Sequence, residues 1–593
     1  MNFSRASAPG RTAIRLLELG LLLATPLVIY RGFSEQFTAI KLVATEGIAT
    51  AAAAILAVCL IWGIARWPKS LRLGAPLGLL ALSVLISCLA SPLPTFSFVE
   101  VQYFLCGPMW LVFLVAGGGG ECRARWLAAM VTLAGAAMAA IALLQWAGHD
   151  PLLFGGYHVD WGRMRNAMRL YSTLGNPNFV AGYLIGAIFP ALALAAASRT
   201  LAGKIACAAS AVIIFAAIIG TRSRGAWLAL AAGLVVARFV GRKKAQPPSM
   251  SELRPASANL APGLSPTVFL ALVAVVTSQA QAVFAHFEGR AFLWRAGWPM
   301  FAEHPLVGGG WAMFQLRFPE LQARYLAEHP ELIRFWTHTS RLHNDPLQIL
   351  YEAGALGLVA LGWLLWRYAR GVREVASAGN LHSRLWLGAS AGGVTAILVD
   401  SLFNFQLAIP PTLILFFTLL ALPSLLIPPP ADADSRVVVE NPSIRYFFVK
   451  TPATLVVILS AMLLARGIWR RAASDHALAL GMEQERQGDF LRAERHFRSG
   501  LARSTEDGGL HYGLARVLFF QERHAEALAE VLRAERSVAD AHLEVLRARI
   551  LDRMGLPSPA LAAYRHALWL NPRLKSVPAD IQRLTEGAPE VVQ

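Results

Sequence analysis

A succession of long apolar runs constrains this chain more than any other feature. A helix needs about 20 residues to cross the hydrocarbon of a bilayer. Runs of that order stand near 14–31, 45–66, 74–91, 97–117, 126–147, 177–198, 203–220, 225–241, 264–284, 347–366, 386–404, 408–427 and 451–468. They predict an all-α, polytopic membrane protein with about 12–13 transmembrane helices. Only 15% of the 593 residues are charged, against about 25% in soluble domains, which excludes a large soluble enzyme. Small-residue faces at 51–54, 134–140 and 191–197 suit close helix packing in lipid.

The basic residues sort by loop. Arg5, Arg11 and Arg15 precede the first run, and no small-residue cleavage site follows it. The run therefore reads as a retained first span, not a cleaved signal. With the N-terminus in the cytoplasm, the Lys and Arg at 66–72, 123–125, 199–204, 242–244, 367–384 and 436–450 fall on cytoplasmic loops, as the positive-inside rule asks. An odd number of spans places the C-terminal segment outside, although Arg470 and Arg471 sit just beyond the last span. No basic stripe with interleaved aromatics suggests nucleic acid. The five cysteines lie in or beside apolar runs and form no CxxC pair, so neither a disulfide framework nor a metal site is expected.

Several arginines break the topological rule: Arg163, Arg165, Arg169, Arg222, Arg224, Arg290, Arg295, Arg317, Arg324, Arg334 and Arg341 fall outside. Long loops translocate regardless of charge, which accounts for some of them. It does not account for Arg222 and Arg224, which occupy a tight turn between two spans, IIGTRSRGAWLAL. Arginine is the preferred bidentate donor to phosphate and carboxylate, so an outer site for an anionic, membrane-embedded substrate is expected there.

The richest stretch is 338–357, HTSRLHNDPLQILYEAGALG. It crowds His338, Arg341, His343, Asn344 and Asp345 at the mouth of an apolar helix expected over 347–366. Ionisable groups beside a bilayer are costly and mark sites; the plainer reading is a solvated loop before a helix. Asp345 is expected to cap that helix and, less so, to orient His343. Glu352 reads equally as a packing contact or as support for the site. Upstream, Gly175–Asn178 reads as a turn with Pro177 opening the next helix.

The chain divides into N-terminal spans (1–170), a membrane core (171–427) with a large outer loop (285–346), a linker and last span (428–470) and a C-terminal region (474–585). Residues 241–263 read as a flexible cytoplasmic linker. In the outer loop, Phe292, Trp294, Trp298, Phe301, Trp311 and Phe314 recur at helix-like spacing. They predict an amphipathic roof on the membrane interface, the plainer reading being a small packed subdomain. In the C-terminal region Phe497, Val531 and Tyr564, Ala493, Ala527 and Ala560, and Gly500, Ala534 and Ala567 recur at about 34 residues. That period predicts about three tetratricopeptide repeats stacked as an α-solenoid that binds a protein partner; an ordinary helical bundle is the alternative.

Taken together, GNPN before a span, TRSRGAWLAL at a tight turn, GRAFLW followed by EHPLVGGGW, and HNDPLQILYEAGALGL resemble the bacterial O-antigen ligase and polymerase family over about 170–425. The resemblance implies a GT-C-type membrane glycosyltransferase of the bacterial inner membrane with its active site on the periplasmic side, where the span count also puts the C-terminal repeats. It implies an undecaprenyl-pyrophosphate-linked glycan as donor and lipid A–core, another glycan or a protein as acceptor. No metal or other cofactor is implied. The family's Arg with Leu four positions on is matched by Arg224 and Leu228, its His with Gly eleven positions on by His343 and Gly354, and its loop arginine by Arg290. The resemblance implies that Arg224 and Arg290, with Arg222 beside them, grip the pyrophosphate and that His343 acts on the acceptor hydroxyl. His338, Asn344, Asp345, Glu352 and Gly354 would support it. A lipid-linked sugar transporter is the non-enzyme alternative.

Overall fold

The structure, a computed structural model, describes residues 8–64, 71–152, 170–241, 287–378, 381–427 and 444–586. Every regular element among the described residues is a helix. Helices stand at twelve of the thirteen expected runs; the run at 264–284, the linker at 242–263 and Arg163, Arg165 and Arg169 lie outside the described residues. Among the described residues seven helices are long and apolar enough to cross a membrane, or eight if the pair Pro94–Glu100 and Gln102–Ala116, bent by 43°, is one span. Gly74–Ala90 and Pro410–Leu426 are apolar but shorter. The chain is thus a polytopic helical membrane protein.

The turns sort into two faces, as alternate crossings require. On one, the Arg125 guanidinium donates to the Ala197 carbonyl, Gly120 N–H to Leu425 O, and Arg367 to Arg72 O. On the other, Lys41 donates to Thr173 O, the Ser97 hydroxyl to Trp311 O, and the Asn344 amide to Leu402 O. The second face carries the outer loop. Between the faces, small residues bring helices close: a Cβ on Gly186 would meet Ile397 and Leu415 at 2.9 Å, and one on Gly233 the Gly392 carbonyl at 2.5 Å. Such approach is what small residues supply in lipid.

The outer loop folds into helices Phe287–Glu303 and Phe314–Glu328 and a short 3-10 turn, Pro330–Phe335. Its aromatics mostly face inward. Phe292, Met300, Phe314, Phe318, Leu342 and Tyr351 form a core of their own, and Trp311 is buried, while Trp298 is 50% exposed. The plainer reading, a small packed subdomain, describes the loop, whose aromatics bury one another in a core of their own.

The expected boundary between last span and C-terminal region does not interrupt the helix. Ile444–Arg486 runs unbroken for 43 residues. Arg471, which the positive-inside reading counted as an irregularity, is an anchor: its guanidinium meets the buried Glu46 carboxylate at 2.5 Å and Gln102 Oε1 at 2.9 Å. One turn on, Asp475 accepts from Ser34 N–H at 3.0 Å. Beyond it, helices Phe490–Leu501, Gly508–Phe520, His524–Ala534, Ala541–Arg553, Pro557–Leu570 and Val577–Glu586 pack in chain order. The periodic residues Ala493, Phe497, Ala527, Val531, Ala560 and Tyr564 are all buried between them. These helices also touch the outer loop. Trp336 Nε1 donates to the Leu570 carbonyl at 2.9 Å, and Arg573 donates to the carbonyls of Ile333 and Arg334 while lying over the Trp336 ring.

Candidate functional site

The segment ending in His343 is fixed from both sides. Leu342 is fully buried in the loop core, its N–H donates to Gln348 Oε1 at 2.8 Å, and its carbonyl accepts from Trp294 Nε1 at 3.0 Å. His343 then adopts φ 53°, a left-handed conformation rare for a residue with a Cβ and common at functional turns. Asn344, not Asp345, caps the following helix Asp345–Ala378: its Oδ1 accepts from Leu347 N–H at 2.9 Å. Asp345 is freed for another task, because the cap position falls one residue earlier than expected. Its carboxylate accepts from Leu407 N–H at 2.9 Å and its N–H donates to the Ser401 carbonyl at 2.9 Å. The His343 turn is thereby pinned to the turn 400–409.

That turn is the hub of the site. The His343 ring meets Phe405 edge-on at 4.9 Å, and Arg290 lies 5.7 Å over the Phe403 ring. The Asp400 carboxylate, fully buried, accepts from Asn404 Nδ2 at 3.0 Å and Gln406 Nε2 at 2.5 Å. Burial holds the Arg290 guanidinium below its usual range, and Asp400 partly offsets this. Gln406 also donates to the Asn178 carbonyl at 3.0 Å, drawing in the GNPN turn, where Asn176 caps helix Pro177–Ala197. Gly225 packs on the same hub, since a Cβ there would come 3.1 Å from Asp400 Oδ1 and 3.6 Å from Phe403. Helix Arg224–Gly241 therefore starts beside the hub, and Arg224 is half-buried there. Arg222 is exposed at φ 54° between buried Thr221 and Ser223. The fold thus gathers Arg224, Arg290 and His343 around residues 400–405.

Burial, and then the charge of Arg290, push the His343 imidazole down to about 4. At neutral pH the ring is uncharged and can accept a hydrogen bond from a hydroxyl. His338 is exposed and lies elsewhere, in a cleft facing the C-terminal helices.

Glu352 and Gly354 serve the geometry. Glu352 accepts from Gln348 Nε2 at 2.7 Å and faces the backbone of Ala312 and Phe314. The helix Asp345–Ala378, within which an apolar helix was expected over 347–366, breaks at Gly354 (φ 68°, ψ −169°). Residues 305–310 dock into the break: Ala355 N–H donates to Pro305 O, Gly309 N–H to Tyr351 O, and Gly310 N–H to Glu352 O. A Cβ on Gly354 would lie 2.3 Å from the Leu306 carbonyl oxygen. The motifs EHPLVGGGW and YEAGALG are two halves of one joint.

Sequence reasoning missed the hub. Its signal was Asp400, Asn404 and Gln406, three polar residues closing an apolar run. It also missed the setting of Arg341, whose guanidinium reaches the Tyr103 hydroxyl at 3.3 Å. Burial opposes that charge, but Tyr103, Glu352, Glu100 and Asp345 outweigh it and hold the guanidinium above its usual range. Among the described residues no three His, Cys, Asp or Glu gather where they could hold a metal ion.

Residues 209–362 match the family model described as Wzy_C, O-antigen ligase. The matched segment contains Arg222, Arg224, Arg290 and His343 and stops short of the hub and the C-terminal helices. No curated protein matches the chain.

Proposed function

We propose that this multi-pass membrane protein, whose residues 209–362 carry the O-antigen ligase segment, transfers a glycan from undecaprenyl pyrophosphate to an acceptor at its outer, periplasmic face in the bacterial inner membrane. Ligation to lipid A–core is the leading reading. The observation that carries it is the convergence of an uncharged His343 with Arg224 and Arg290 on one hub. The orientation is supported by the opposite face, where Arg123, Arg125, Arg367, Arg370 and Arg373 lie.

The chemistry follows from the side chains. The bond between the sugar anomeric carbon and the pyrophosphate oxygen breaks, and that oxygen leaves with the electron pair. Arg224 and Arg290, with Arg222 at the mouth, stabilise the charge that develops there, and cations fixed in a water-poor site do so strongly. The acceptor hydroxyl oxygen forms the new bond to the anomeric carbon and loses its proton to His343. A ring whose conjugate acid titrates at about 4 is a weak base, so His343 chiefly orients the hydroxyl. A pyrophosphate bound to Arg290 would cancel part of the field that weakens the imidazole and strengthen it as a base once donor is in place. No metal is assigned a part. The C-terminal helix pairs are assigned as tetratricopeptide repeats on the site's face, which their contacts with Trp336 support.

The test offers purified protein undecaprenyl-pyrophosphate-linked glycan with lipid A–core, with a protein acceptor, or alone, each with and without chelator. One glycan added to lipid A–core, unaffected by chelator, is the expected result. A ladder from donor alone would make the protein a polymerase, and transfer to protein a protein O-oligosaccharyltransferase. Donor crossing liposomes without any transfer would make it a transporter.

A further inference from the structure

The contact between the outer loop and the C-terminal helices is not a closed seam. Two adjoining cavities lie in it, of about 190 Å³ and about 380 Å³, sharing Pro319, Ala539, Asp540 and Leu570. The smaller is lined by Phe318, Trp336 and His338 of the loop and by Asp540, His542 and Asn571 of the C-terminal helices. We propose that this cleft binds a saccharide segment of the glycan or of its acceptor, so that the C-terminal helices form part of the substrate site. This rests on the reading of the protein as a glycan transferase.

Three observations point to a sugar. The lining pairs aromatic and apolar surface with a few amide, imidazole and carboxylate groups, and a sugar ring likewise offers apolar C–H faces rimmed by hydroxyls. The volume suits sugar rings and not a bound helix, which needs about 10–12 Å of clear width. The position is right as well. Trp336, Thr337, His338 and Thr339 line the cleft, and His343 follows four residues after Thr339, at most about 14 Å of chain away. The cleft is therefore within reach of a glycan whose reacting end is at His343. The contact is anchored by Trp336 to Leu570, both of which line the cleft, and by Arg573 to Ile333 and Arg334.

The probes are two soluble oligosaccharides, one released from the donor glycan and one from the lipid A–core, so that the arms separate donor from acceptor. Binding is read by saturation-transfer NMR on full-length His343→Ala protein in nanodiscs, which removes turnover. Ala539→Trp fills the space common to both cavities. The double variant His338→Ala/His542→Ala removes two exposed imidazoles without touching the packing. Binding of at least one oligosaccharide, weakened about tenfold or more in both variants, is expected. In the His343 protein, the same changes should raise KM for that substrate with little effect on kcat. If neither oligosaccharide binds, or if both variants bind as well as their parent, the proposal is overturned. The two readings fail separately. Cleft-dependent binding without transfer to any acceptor would retain the sugar site and sink the transferase; transfer with kinetics indifferent to both variants would do the reverse.

Discussion

At the scale of residues, the proposed site depends on a histidine kept uncharged and cations kept close. Because burial and Arg290 hold His343 at about 4, the ring stays neutral through the physiological range and gains its proton only in acid. The acid limb of the kcat/KM profile for transfer should therefore lie near 4. Arg290→Gln removes a cation that disfavours the imidazolium. The His343 value should then rise but stay below the usual 6.5, because burial, the larger cause, remains; the acid limb should move up with it, while donor binding weakens. A limb that stays put in Arg290→Gln would show that the two groups do not share a field. Arg341 contributes differently: two residues before His343, it brings a charge into a buried nest of Tyr103, Glu100 and Glu352 and ties the His343 segment to helix Gln102–Ala116.

At the scale of elements, the decisive joint is the break in the helix Asp345–Ala378. Gly354 occupies backbone space that only glycine visits without strain, and a Cβ there would strike the Leu306 carbonyl. Gly354→Ala should destabilise the protein by about 1–3 kcal/mol from the backbone alone and displace the 305–310 segment. Gly362→Ala, on the same helix with nothing within 4 Å of the added Cβ, should be close to neutral. Thermal unfolding in detergent compares the two, and equal losses would refute the joint. The spacing from His343 to Gly354 was legible in the sequence, as were Arg224 and Arg290. What the spacing means was not, because the docking of 305–310 into the break is a long-range contact that no local pattern encodes. Asp400, Asn404 and Gln406 were hidden for another reason. Three polar residues at the end of an apolar run look like the end of a span, and only their bonds to one another and to Asn178 reveal a hub. The cap was misplaced by one residue because Asn and Asp compete for that position on nearly equal terms.

At the scale of the whole molecule, the last long helix couples the membrane core to the C-terminal helices. From sequence, the side on which those helices lie depended on counting spans, and one expected span falls outside the described residues. Their contact with Trp336 sets them against the loop that leads to His343. The coupling should be sensitive at Arg471. Removing it leaves the buried Glu46 carboxylate without its cation, a loss of about 3 kcal/mol for a broken buried pair. Arg471→Ala should lower the unfolding temperature and loosen the C-terminal helices in hydrogen exchange. Arg471→Ala/Glu46→Gln should recover much of that loss, and a double variant no better than the single one would place the weakness elsewhere. The apolar runs made the membrane fold legible from the start, whereas the unbroken passage of Ile444–Arg486 out of the membrane was obscured by the change in composition near residue 470.

The most direct test of a single site built from His343, Arg224 and Arg290 separates donor binding from chemistry. Affinity for undecaprenyl-pyrophosphate-linked glycan and single-turnover transfer would be measured on wild type, His343→Ala, Arg224→Ala and Arg290→Ala. The account predicts that His343→Ala binds donor as wild type does but transfers at least about a hundredfold more slowly, whereas both arginine variants lose donor affinity as well as rate. Full transfer by His343→Ala, or undiminished donor affinity in both arginine variants, would contradict it.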